Sequence, residues 1–144
     1  MFTVEVIKVE CGNILQLQIK NPSINIKIEG QTALDETHVT LARLDDQGID
    51  GLAFATLSLP PPPDSLSFYS QLYQVVDSEN GKTSVVAYAT DQELLHAYVR
   101  MCGAGMGIDI AEPARVYHMT LSNSEGGERL GSIGDVWKFP NYRV

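Results

Sequence analysis

Cysteine is scarce in this 144-residue chain: Cys11 and Cys102 lie far apart and have no companions at metal-ligand spacing. Neither a disulfide framework nor a zinc site is expected, only two buried or half-buried thiols in a reducing, cytoplasmic compartment. Basic residues are also few, 10 Lys and Arg against 18 Asp and Glu, for a net charge of -8. That field repels long duplex nucleic acid, whose binding draws on phosphate neutralisation, but it permits a short or cyclic nucleotide in a local pocket. No apolar run approaches the roughly 18 residues of a membrane span. The first ten residues, MFTVEVIKVE, alternate and lack the basic-then-apolar form of a signal peptide. No linker or long low-complexity tract divides the chain, so residues 1–144 read as a single domain.

What is present is mostly strand pattern. Phe2, Val4 and Val6 alternate with polar neighbours, as do Leu15, Leu17 and Ile19, and then Ile24, Ile26 and Ile28. A period of two in branched residues marks a half-buried strand. Further strands are expected over 37–44, 67–76, 83–89, 116–122 and 135–139. Asn80-Gly81 supplies a hairpin turn. Thr90 or Asp91 can cap a helix whose apolar positions are Leu94, Leu95, Tyr98, Val99 and Cys102, with Gly103 as its stop. Many strands with one helix predict an α+β sandwich.

Three segments invite sharper readings and favour plain ones. The acidic stretch 45–51 lacks calcium-loop spacing and reads as a solvated turn. Prolines 60–63 force an extended, stiff surface connection. The glycine run 103–107 follows a helix instead of joining a strand to one, so it reads as a helix end and turn, not a phosphate cradle. Gly126-Gly127 is likewise a loop.

The placement of the histidines is hard to ascribe to chance. Of three histidines, two occupy one frame: His38-Val39-Thr40-Leu41 and His118-Met119-Thr120-Leu121. A given histidine falls in such a frame roughly a few times in a hundred. In a strand, His38 and Thr40 share one face and Val39 and Leu41 the other; the second copy behaves alike. Two such strands around one cleft would offer two imidazoles and two hydroxyls. One neutral imidazole can take a proton from an attacking hydroxyl while a protonated one supplies the leaving oxygen. The threonines can hold non-bridging phosphate oxygens. The chemistry calls for no metal and no cofactor. His96, in the frame His-Ala-Tyr-Val, lacks the hydroxyl, lies on the predicted helix's wet side and is expected to have no catalytic role.

On His38, Thr40, His118 and Thr120, together with a second half ordered as hairpin, helix, motif and terminal strand, the sequence resembles the two-histidine (2H) phosphoesterase superfamily. The resemblance implies an α+β, two-lobed fold with a pseudo-twofold axis, two antiparallel sheets facing a central groove, and flanking helices. It also implies cleavage of a phosphodiester beside a 2′-hydroxyl. In length and acidity the chain is similar to the compact viral and phage members, which degrade 2′,5′-oligoadenylate or cyclic oligonucleotide signals. Such a role would counter antiviral signalling in the host cytoplasm. The first half departs from the family, since 15–28 alternates where a helix often precedes the first motif.

A nucleotide substrate also needs surfaces for its bases. Tyr69, Tyr73, Tyr88, Trp137 and Tyr142 are available, Trp137 and Tyr142 being favoured because the C-terminal segment can return to the groove. Tyr117 has the parity of the core. Ser122 has the parity of His118 and Thr120 and extends their polar row. Arg43 and Arg115 have the wrong parity to face the site in an unbroken strand, and Lys138 and Arg143 are further cations. Nothing in the pattern specifies an oligomer. Two other classes use the same features: a module that sequesters a nucleotide without cutting it, and a structural or interaction protein assembling through its strands and proline run.

Overall fold

The computed structural model describes residues 1–21, 32–34, 36–51, 53, 59–77, 83–105, 107–124 and 133–143, with 76–77 and 133–143 given by backbone alone. The expected strand over 24–28, the Asn80-Gly81 turn and the Gly126-Gly127 loop lie outside these residues.

Alternation in the first segment builds β1 (Phe2–Cys11) and β2 (Ile14–Ile19), joined through Gly12 and Asn13. They pair antiparallel, Val9 opposite Leu17. After the short β3 (Thr32–Ala33), β4 (Thr37–Arg43) pairs with the free side of β2, Val39 opposite Leu17. The second half repeats this three-strand plan after β5 (Ser65–Phe68). There β6 (Gln71–Asp77) pairs with β7 (Thr83–Tyr88), and β7 with β8 (His118–Asn123). Each His-x-Thr frame thus rides on the third strand of an antiparallel meander.

The two third strands meet. β4 pairs antiparallel with β8, Val39 opposite Met119. These are the second residues of the two frames, so equivalent positions face each other across a local twofold. Among the described residues, nine strands join in one sheet of order β5-β1-β2-β4-β8-β7-β6-β9, β9 being Ile133–Arg143 and β3 pairing with β8. Pro140 falls on β9, at the end of that order, where a missing N–H interrupts least. The sheet curls into a half-barrel. β5 returns towards β7 through a bridge between Phe68 and Ala89 and a hydrogen bond from Tyr69 N to Tyr88 O. That return is why 67–76, one strand by pattern, is two: β5 serves β1 and β6 serves β7, with the break at Tyr69 and Ser70.

The α+β class therefore holds, but the described strands form one continuous sheet where two facing sheets were expected, because β4 and β8 pair directly. One face of that sheet is the core. Leu15 and Leu17 of β2, Val39 and Leu41 of β4, Val85 and Ala87 of β7, and Met119 of β8 are all fully buried there. Helix α1 (Gln92–Ala104) adds Leu95, Val99 and Cys102. The Asp91 carboxylate caps it by accepting from Leu94 N at 3.0 Å. Its end comes later than Gly103, which is buried inside the helix and touches the Ile108 carbonyl so closely that no Cβ fits. Gly107, at φ +70°, makes the left-handed turn instead. The proline run is pinned at its start, the Tyr98 hydroxyl donating to the Pro60 carbonyl at 2.7 Å. The acidic stretch forms a short 3-10 turn, Asp45–Gln47, whose aspartates are exposed.

Met119 fills the centre of this core. Met119→Ala is expected to cost about 2–5 kcal/mol, as deletions of fully buried large side chains do. Urea unfolding monitored by circular dichroism measures it.

Candidate functional site

The face opposite the core carries both His-x-Thr frames. Because Val39 and Met119 point inward, His38, Thr40, His118 and Thr120 share the outer face. Extending the register one residue either way sets His38 against Thr120 and Thr40 against His118. Opposed Cβ atoms in such a ladder lie about 5 Å apart. His38 is exposed; Thr40, His118 and Thr120 are half-buried. All four predicted catalytic residues therefore sit in one patch, and charge on His38 is felt at His118.

His118 Nδ1 lies 3.1 Å from the Val116 carbonyl, which can only accept, so Nδ1 carries a proton and, in the neutral ring, Nε2 keeps its lone pair. Burial lowers its pKa from the ordinary histidine value, and the charges of Arg115 and His38 act the same way, while the Val116 bond opposes them. Arg115 is engaged elsewhere, its Nη2 lying 2.7 Å from Glu112 Oε2. Arg43 donates its backbone N–H to Glu112 Oε1 at 2.7 Å and pairs with Asp46 at 3.9 Å.

Neighbouring strands extend the face. On β2, Gln18 stands opposite His38 and Gln16 opposite Thr40. On β1, Glu10 is opposite Gln16, whose Nε2 donates to Glu10 Oε2 at 2.9 Å. Bonds from Gln16 and Lys8 hold the Glu10 carboxyl below the usual range, and the His38 charge contributes. On the other side, Tyr88 of β7 is opposite His118, their rings 6.2 Å apart edge to face. Val86 is opposite Thr120, and Tyr73 of β6 opposite Val86.

The entry to β8 is clamped. Gln92, the first residue of α1, accepts the Tyr117 N–H at 2.7 Å on Oε1; its Nε2 donates at 2.9 Å to the Tyr117 and Ala89 carbonyls. Beside the direct bond from Ala89 N to the Tyr117 carbonyl at 3.1 Å, the amide thus bridges the Tyr117 N–H and the Ala89 carbonyl immediately before His118. Tyr117 is core, as its parity requires, and burial pushes its phenol up to about 12. Its hydroxyl lies 3.0 Å from His96 Nδ1. His96 is accordingly half-buried and satisfies that phenol, not the wet-face residue its helical position predicted.

Ser122 does not extend the row. Opposite Val86 and Val85 the partner steps from Thr120 to Ser122, so Leu121 is an extra residue and the parity changes. Ser122 is fully buried against Ala33 and Val85. Trp137 and Tyr142 lie on the backbone of β9, three strands from β8, Trp137 opposite Gln74; their side chains, with those of Lys138 and Arg143, lie outside the described ones. Sequence reasoning missed Gln16, Gln18, Glu10 and Gln92. The first three alternate against core residues, so their face was readable, but the neighbour relations of β1, β2 and β4 were not.

Comparison with protein-family models, with curated proteins and with solved structures finds no match for the chain.

Two measurements check this geometry. Gln92→Leu orphans the Tyr117 N–H, so a loss of at least about 2 kcal/mol is expected in denaturant unfolding, with faster amide exchange at Tyr117. The unfolded His118 protonates near 6.5 and the folded one only at lower pH. Between those values the unfolded chain binds more protons. This residue therefore leaves stability intact above about 6.5 and penalises the fold progressively as pH falls through that window. NMR titration should give a His118 midpoint below 6.5, and His118→Gln should flatten the loss.

Proposed function

We propose that the chain is a metal-independent phosphodiesterase acting on short or cyclic nucleotides through His38 and His118. One observation carries the reading: the two His-x-Thr frames pair at equivalent positions and turn both imidazole–hydroxyl couples to the same face. Two histidines kept for packing would have no reason to meet there.

The roles divide by environment. His118, neutral and with Nε2 free to accept, is the base. His38, more exposed and within electrostatic reach of the Glu10 carboxylate, is the acid. A phosphorus atom above the β4–β8 seam would have Thr40 on the His118 side and Thr120 on the His38 side, each able to donate to a non-bridging oxygen. His118 takes the proton of the attacking hydroxyl, the phosphorus–oxygen bond to the leaving group breaks, and His38 protonates the departing oxygen. The mechanism is the one that the resemblance to 2H phosphoesterases implies. The two-lobed form of that family and a role against host signalling belong to this proposal as well.

The expected outcome is turnover in excess chelator of at least one among cyclic dinucleotides, cyclic trinucleotides, 2′,5′-oligoadenylate and 2′,3′-cyclic phosphates. His38→Ala and His118→Ala should each lower kcat about 100-fold or more with circular dichroism unchanged. Full activity in either variant overturns the assignment; tight binding without turnover in the native chain makes it a sequestering module.

A further inference from the structure

The twofold that relates the catalytic positions fails at their flanks. The residues opposite His118 and Thr120 on β7 are Tyr88 and Val86, followed on β6 by Tyr73. The equivalent residues on the other side, opposite His38 and Thr40 on β2, are Gln18 and Gln16, followed on β1 by Glu10. Lys8, opposite Gln18, pairs with Glu10 at 3.2 Å, so one flank is aromatic and apolar and the other is made of amides and an ion pair. On the aromatic flank, Tyr73 and Tyr88 meet edge to face at 5.2 Å, and Tyr88 reaches the His118 ring at 6.2 Å. Both tyrosines are half-buried and Val86 between them is fully buried, outside the main core.

A symmetric acid–base pair cannot by itself choose which way a phosphodiester lies. Unequal flanks can. We propose that Tyr88, backed by Tyr73, is a stacking site for one nucleobase, and that it orients the substrate so that the nucleoside carrying the attacking hydroxyl lies on the His118 side. This rests on the phosphodiesterase reading and adds the substrate's direction and its need for one base. An aromatic heterocycle is the group that fits, because its face gains from tyrosine while its ribose stays polar and reaches the adjacent imidazole. The opposite flank, with two amides and the Lys8–Glu10 ion pair, suits a ribose and its hydroxyls and offers no ring to stack on. In the oriented complex the ribose 2′-oxygen bonds to phosphorus and its proton passes to His118 Nε2. The bond from phosphorus to the 5′-oxygen breaks, and that oxygen takes the proton of His38, leaving a 2′,3′-cyclic phosphate and a 5′-hydroxyl.

The test uses the full chain and three diesters: adenylyl-(3′→5′)-adenosine, and the two analogues in which one or the other adenine is replaced by hydrogen. Removing the base from the nucleoside with the attacking hydroxyl should raise KM about tenfold; removing the other should change it less than threefold. Tyr88→Leu keeps apolar volume and loses the aromatic face, so it should reproduce the first effect on the intact diester, while Tyr88→Phe should not. Equal effects of the two deletions, or native KM in Tyr88→Leu, overturn the inference and leave the phosphodiesterase standing. A second arm is independent of turnover: adenosine 5′-monophosphate should shift the Tyr88 ring protons upfield, and ribose 5-phosphate should not. Absence of that shift overturns the stacking site, whereas an upfield shift in a chain that cleaves none of these three diesters overturns only the direction of the substrate.

Discussion

The shared face of the two His-x-Thr frames depends on one antiparallel contact, that of Val39 with Met119. It joins two three-strand meanders into a single sheet, and it does so between residues that hold the same place in two copies of a four-residue frame. Both side chains are fully buried. Because side chains alternate along a strand, burying these two turns the histidine and threonine on either side of each to the opposite face. The hydrophobic effect that closes the core therefore also sets the positions of the polar groups. A slip of one residue would bury both imidazoles and expose the valine and methionine, so register is strongly specified.

Much of this was legible and some was not, for reasons that differ by residue. Alternation named β1, β2, β4, β7 and β8, and Asp91 announced the start of α1. Parity assigned Val39, Leu41, Met119 and Tyr117 to the core. Parity failed at Ser122, because a bulge adds a residue to β8 and no local pattern announces a bulge. It failed again where 67–76 divides, since the break answers to closure of the sheet and not to the composition of the segment. His96 was misjudged because the helix face was read alone; its partner, the Tyr117 hydroxyl, comes from a strand 21 residues away. Strand order was illegible, as it rests on contacts between distant segments.

The clamp by Gln92 shows how the helix and the site are connected. At Tyr117 a single side-chain amide supplies both a donor and an acceptor, and the same amide reaches Ala89 at the end of β7. The start of α1, the end of β7 and the start of β8 are tied at one point. His118 is the next residue, and its own Nδ1 bonds back to Val116. The ring is therefore oriented by backbone that the helix itself fixes, so its direction does not depend on bound substrate.

Proximity of the two rings has an electrostatic consequence that suits acid–base work. Like charges on neighbouring imidazoles oppose each other, and His38 already acts on His118 in that sense. The pair therefore accepts a first proton more readily than a second. Burial, against the opposing Val116 bond, favours the neutral form of His118, while the Glu10 carboxylate complements a charge at His38. A singly protonated pair is what in-line transfer needs: one ring to take a proton, the other to give it. After one transfer the charges have changed places, and hydrolysis of a cyclic intermediate would restore them by the same path in reverse.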